Sequence, residues 1–174
     1  SGQVPRMSQT TTQGRLPDAL FSSIIEHAPL ISMDLVVRDM AGNVLLGKRL
    51  NRPAQGYWFV PGGRIRKGEH FDAAFSRLVQ EELGVELTLA QARFLGPYEH
   101  HYSDNVFGEQ FTTHYVVLGF EVVLPEQPDA LPCAQHGEYR WLPVEVLLAD
   151  PLVHIHSKWY FANNPLMPGI TSAR

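Results

Sequence analysis

The stretch from Pro61 to Val85 constrains the fold of this chain more than any other. Pro61-Gly62-Gly63 closes a short apolar run, Tyr57 to Val60, and from Glu69 to Leu83 the pattern turns helical. Phe71, Ala74, Phe75, Leu78 and Glu82 fall along one side of that helix, and Gly84 stands where a helix stops. A carboxylate at the end of an otherwise apolar stripe is the first sign of chemistry. Arg77 and Glu81, spaced i,i+4, can pair and tie the helix to the preceding loop through Glu69, or can form a plain surface salt bridge.

Strand signals lie on both sides of this helix. Leu30 to Asp39 and Val44 to Arg49 are β-branched-rich and flank Ala41-Gly42-Asn43, the pattern of a hairpin. Phe94 to Tyr102 and Phe111 to Val123 predict two longer strands, with Ser103 to Gln110 between them, and Tyr139 to Leu142 a short one. Further helices are expected over Ala19 to Ala28, where Pro29 ends the run, over Pro143 to Ala149 and over His154 to Asn163. Strands and helices intermix without a regular βαβ repeat. The expected class is therefore α/β, a mixed β-sheet sandwiched between α-helices.

At 174 residues the chain is expected to be one domain over residues 16–174, with the polar segment 1–15 left out of the fold as disordered or as a remnant ahead of Met7. Lys and Arg total 14 against 18 Asp and Glu, so no basic field is present to hold nucleic acid or an anionic membrane, and phosphate recognition has to be local. A single cysteine, Cys133, excludes an intrachain disulfide framework and a cysteine-based metal cluster and fits a reducing compartment. No apolar run approaches the roughly eighteen residues of a membrane span, and no signal-peptide core is present, so a cytoplasmic location is expected.

Gly63, Glu69, Arg77, Glu81, Glu82 and Gly84 fall at the spacing of the Nudix box, Gly-x5-Glu-x7-Arg-Glu-U-x-Glu-Glu-x-Gly-U with U aliphatic. A chance match of these six positions has a probability on the order of 10⁻⁵ over a chain of this length. The chain thus resembles the Nudix superfamily, and the resemblance implies the Nudix fold. One position departs from the box: Leu78 stands where a Nudix helix ordinarily presents a second carboxylate, one turn before Glu82. Fewer divalent ions are implied, one Mg²⁺ with Glu82 as the surviving side-chain ligand of α-helical origin.

Asn51 to Arg64, Phe111 to Phe120 and Gln135-His136 with Tyr139 to Leu142 look like the GDP-mannose mannosyl hydrolase branch of that superfamily. The resemblance implies hydrolysis of GDP-mannose, or GDP-glucose, to GDP and free sugar by attack of water at the anomeric carbon with inversion. It implies a Mg²⁺ held by the Gly62 carbonyl, Glu82 and Gln135, with Arg49 and Arg64 on the pyrophosphate and Asp34 hydrogen-bonding the sugar. His136 matches the general base, a role that an imidazole with its ordinary pKa of about 6.5 suits. Tyr115 and His100 match groups near the leaving diphosphate, whereas His101 and His114 alternate to the opposite sheet faces and carry no role. A homodimer is a further implication. Trp58, Tyr57 and Phe107 are candidates for stacking on the base, with the core as their alternative place. Two other functions stay open: a conventional Nudix pyrophosphatase cleaving P–O in a nucleoside diphosphate derivative, and a non-catalytic Nudix module that binds nucleotide sugar or a protein partner.

Overall fold

Leu30–Arg38 is the central strand β1, flanked by strands on both edges, and most of its side chains are buried. The structure, a computed structural model, describes residues 15–132 and 136–162. In chain order the elements are α1 (Asp18–His27), β1 (Leu30–Arg38), β2 (Val44–Arg49), β3 (Trp58–Phe59), β4 (Gly62–Arg64), α2 (Phe71–Leu83), β5 (Arg93–Tyr102), β6 (Thr113–Val123), β7 (His136–Leu142), α3 (Val144–Ala149) and α4 (Ile155–Lys158). The strands form one mixed sheet of seven, ordered β3-β2-β1-β6-β5, with β4 added on β1 and β7 on β2.

β1 runs parallel to β6 over its whole length, from Leu30↔Tyr115 to Arg38↔Val123. Its other edge is shared: Ser32, Met33 and Asp34 pair antiparallel with Arg64, Gly63 and Gly62, and Arg38 pairs with Val44. The expected hairpin turn is present, closed by Asp39, whose Oδ1 accepts from the backbone N–H of Ala41 and Asn43. Side chains alternate across the sheet. Met33, Leu35 and Val37 point to one face and pack with Ala74, Phe75, Leu78, Val79 and Leu83 of α2. On the other face Val36, Val44 and Leu46 pack with Trp58, Leu147 and Val153. Ser32 and Asp34 share that second face nearer the start of β1.

α2 ends as expected, on Gly84 in the left-handed region at φ 69°, a conformation a side chain would strain. Its buried stripe is Ala74, Phe75, Leu78, Val79, Glu82 and Leu83. Phe71, expected on that side, is 58% exposed at the first position of the helix. Leu78 is 1% exposed, and a Cβ on Gly63 would come within 2.5 Å of its Cδ2, so Leu78 fills space that the glycine leaves.

Other expectations need correction. β6 starts at Thr113 rather than Phe111, because the Phe111 carbonyl accepts from the Asn105 side chain and is taken out of the ladder. β7 starts at His136, which places that residue on a strand paired with Arg49 instead of in a loop. α4 covers only Ile155–Lys158, tethered by the backbone N–H of Val60 donating to Ser157 Oγ, and Asn163 lies outside the described residues. Trp58 is buried in the core under Arg140 rather than offered as a stacking platform. β3 and β4 are too short for a periodicity to announce them. Among the described residues no helix is long and apolar enough to cross a membrane.

The packing of Leu78 gives a direct test. Leu78→Ala should cost about 2–5 kcal/mol in urea denaturation, and Leu78→Met less than about 1.5 kcal/mol. Leu78→Glu, which restores the residue of the box, should destabilise more than Leu78→Met, since it sets a charge against an apolar layer.

Candidate active site

Strand register builds the pocket. Cross-strand neighbours share a face, so Ser32 and Asp34 on β1 stand beside Arg64 and Gly62 on β4, beside Val117 and Gly119 on β6, and, one strand further, Tyr115 stands beside His100 on β5. These side chains, with Arg49, Tyr102 and His136, line a cavity of about 340 Å³, closed by Phe21 and Ile25 of α1 and by Asn51 to Pro53 of the β2–β3 loop. This size lies within the ordinary range for a small-molecule site.

The walls differ in character. Arg49 and Arg64 supply positive charge, each with its guanidinium over an aromatic ring, Phe59 at 5.3 Å and Phe21 at 5.1 Å respectively. Both have salt-bridge carboxylates absent from the described ion pairs, which leaves them available to an anion. Burial raises the pKa of Tyr115 and of Tyr102, against the nearby charge of Arg49, so both phenols stay protonated donors. Burial likewise lifts the Asp34 carboxyl to about 7, against the hydrogen bond from Tyr160 and the charge of Arg49. His101 and His114, on the opposite face as expected, stack on each other at 4.2 Å away from the pocket.

Glu82 and His136 meet at one corner. Glu82, 2% exposed at the end of α2, has its Oε2 3.5 Å from Nε2 of His136, itself 5% exposed. The imidazole sits over Gly47, where a Cβ would fall 2.6 Å from its Cγ and Nδ1. The expected base and the expected metal ligand are thus direct neighbours. Glu69 is spent differently: it accepts from Arg77 Nε and Nη2, each at 2.7 Å, and from the Arg66 backbone N–H, while Arg77 also donates to the Arg64 carbonyl. These bonds hold Glu69 below its ordinary carboxylate value and clamp the β4–α2 loop to the helix, which gives the Arg77, Glu81 and Glu69 set its structural part.

Two further histidines, His154 and His156, lie close to His100 of the pocket wall. His100 stacks on His156 at 4.3 Å, and His154 stacks on Phe59 at 4.6 Å. Burial pushes His100 down to about 3, His156 to about 2 and His154 to about 4, with the charge of Arg49 adding to the last. His154, His156, Tyr102, Tyr160 and Phe21 were not singled out in the sequence, because they reach the site from three separate segments with no spacing to link them. Of the stacking candidates, Tyr57 packs edge-on to His154 and Phe107 edge-on to Phe21, both outside the pocket lining.

The NUDIX domain family matches residues 29–162, from the start of β1 to the residues after α4. The chain belongs to the NUDIX family. Low-salt glycan biosynthesis protein Agl8 of Haloferax volcanii is 43% identical over 112 residues, 64% of this chain and 70% of that protein. The 8-oxo-dGTP diphosphatase of Proteus vulgaris is 33% identical over 70 residues, 40% of this chain and 61% of that protein. The MutT protein from Methanosarcina mazei Go1 shares the fold at a TM-score of 0.61 and 20% identity, over 78% of this chain and 92% of that one. So does the NUDIX domain of Shewanella oneidensis NrtR, solved with ADP ribose, at a TM-score of 0.56 and 22% identity, over 79% and 90%.

Divalent metal is what membership of the NUDIX family implies, and the donor set can be tested for it. Among the described residues no three His, Cys, Asp or Glu side chains converge on a metal-sized site. What remains is the buried Glu82 carboxylate, whose described ion-pair partner is an imidazole, beside a pocket wall that includes Gly62. A buried carboxylate with so little compensation fits a single hard cation completed by backbone oxygens. Gln135, the third expected ligand, lies outside the described residues, as does Cys133.

The buried histidines set a pH dependence. Unfolded imidazoles take up protons as the pH falls through 6.5, whereas His100, His154 and His156 resist until well below it, so the stability they hold at neutral pH is lost as the solution is acidified. Asp34 works in the opposite sense over part of this range. His156→Phe, which keeps the stacked ring and removes the titration, should therefore show a smaller fall in urea midpoint between about pH 6.5 and pH 4.5 than the parent chain.

Proposed function

We propose that this NUDIX protein hydrolyses GDP-mannose, or GDP-glucose, to GDP and free sugar by attack of water at the anomeric carbon. The observation that carries this reading is the acidity of α2: Leu78 is built into the core, so the helix brings a single carboxylate, Glu82, to the site, and that carboxylate lies against His136. A site of this kind is poor in metal ligands and contains a base. The 43% identity to a low-salt glycan biosynthesis protein supports a sugar-linked substrate.

Each group then has a task. Arg49 and Arg64 bind the diphosphate and stabilise the negative charge it gains as the C1–O bond breaks. Tyr115 and His100 hydrogen-bond the substrate beside the leaving group, and Asp34 accepts from a sugar hydroxyl at the neighbouring position in the sheet. His136 accepts a proton from water as the water oxygen bonds to C1, and GDP departs with the bonding pair on the opposite side, which inverts the anomeric centre. Glu82 and the Gly62 carbonyl, with Gln135, would hold one Mg²⁺, which when bound supplies further neutralisation of the diphosphate. A homodimer and a cytoplasmic location belong to the same proposal.

One observation favours a second reading, a pyrophosphatase. The 33% identity to an 8-oxo-dGTP diphosphatase is to a protein named for cleavage within a phosphate chain. Turnover in ¹⁸O-labelled water separates the two. Attack at carbon puts the label in the sugar and leaves GDP unlabelled; label in a nucleotide or phosphate product rejects the glycosyl reading. His136→Gln should lower turnover roughly 10²–10⁴-fold with the fold retained, as judged by circular dichroism.

A further inference from the structure

Asp34 is the one carboxylate on the pocket wall among the described lining residues, and its two oxygens have different neighbours. Oδ2 accepts a 2.7 Å hydrogen bond from the Tyr160 hydroxyl, 126 residues away in sequence, just past α4. Oδ1 lies over Gly62, where a Cβ would come within 2.6 Å of it.

The sheet is shaped to permit this. Asp34 pairs with Gly119 on β6 and with Gly62 on β4, so a glycine stands on each side of it on the same face. A Cβ on Gly119 would fall 2.7 Å from Tyr160 Cε1, so one edge of the tyrosine ring occupies the space that the glycine leaves. Tyr98 packs against the ring edge-on at 4.6 Å. Burial keeps the Tyr160 phenol well above its ordinary value, so it keeps its proton and can donate to Asp34. No other described side chain donates a hydrogen bond to Asp34.

We propose that Tyr160 is a positioning residue for substrate binding: held on Gly119, it fixes Asp34 Oδ2 and thereby directs Oδ1 towards the sugar. This rests on the reading of Asp34 as the sugar-binding group. A carboxyl group free to rotate about its Cβ–Cγ bond would present either oxygen, or neither, to a hydroxyl; one anchored through Oδ2 by the Tyr160 hydroxyl presents Oδ1 alone. Tyr160, just past α4, thereby becomes part of the specificity of the pocket.

The test uses the full chain with Mg²⁺ and compares Tyr160→Phe, Asp34→Asn and the double variant. Tyr160→Phe keeps the ring on Gly119 and should leave melting temperature and GDP affinity near those of the parent, while kcat/KM for GDP-mannose falls about 10- to 100-fold. Because Tyr160 acts through Asp34, the double variant should be no worse than Asp34→Asn alone. Losses that multiply, or full activity in Tyr160→Phe beside a damaged Asp34→Asn, overturn the positioning role and leave the sugar reading intact. A harmless Asp34→Asn overturns both. The ¹³Cγ resonance of Asp34 gives a readout independent of the substrate: at fixed pH it should shift in Tyr160→Phe, and an unchanged resonance overturns the proposal even if GDP-mannose proves not to be turned over.

Discussion

Everything at the site depends on the register of β1 between two partners of opposite direction. Parallel to β6 and antiparallel to β4, β1 places Asp34 between Gly119 and Gly62 and Ser32 between Val117 and Arg64. A slip of one residue on either side would turn each of these side chains to the α2 face, where Met33 and Leu35 now pack. The apolar alternation of β1 therefore secures more than a core. It sets which polar groups share a face, and a carboxylate, two arginines and two tyrosines become neighbours through backbone pairing before any of them touches a ligand.

α2 supplies the second constraint, from the other face of the sheet. Its apolar stripe runs into Glu82, so the packing that buries Phe75 and Leu78 also carries a carboxylate into a desolvated corner. The Glu69 and Arg77 clamp fixes the loop ahead of it at Arg64, tying the start of the helix to the strand that contributes a pocket cation. Charges held in this way interact strongly because water is largely excluded. Arg49 and Arg64 give the cavity a positive wall, and Tyr102, Tyr115 and His100 give it an uncharged, aromatic one.

Local signals in the chain made much of this legible. The turn at Ala41-Gly42-Asn43, the stop at Gly84 and the helical stripe of α2 are short-range features, and each stands where its residues imply, apart from Phe71. The fold class and family follow from the same stretch. What escaped is long-range. The β-strand start at His136 depends on pairing with Arg49, the shortened β6 on a side chain from Asn105, and Tyr160 on an empty face above Gly119. Trp58, an aromatic that composition alone leaves ambiguous, went to the core because β3 faces the apolar layer between Val36 and Leu147. The residues that the resemblance placed at the pocket, Asp34, Arg49, Gly62, Arg64, His100, Tyr115 and His136, do lie together, with Glu82 beside His136.

The central claim is that water attacks a carbon held between an arginine-bound diphosphate and the His136 side of the pocket. Inversion is its stereochemical consequence, and it is visible before the free sugar equilibrates. One-dimensional ¹H NMR of the anomeric region during rapid turnover of GDP-α-mannose measures it directly. The account predicts that β-mannose is the first sugar to appear, with the α anomer growing in afterwards by mutarotation; first appearance of α-mannose, or of a sugar phosphate in place of free sugar, would contradict it.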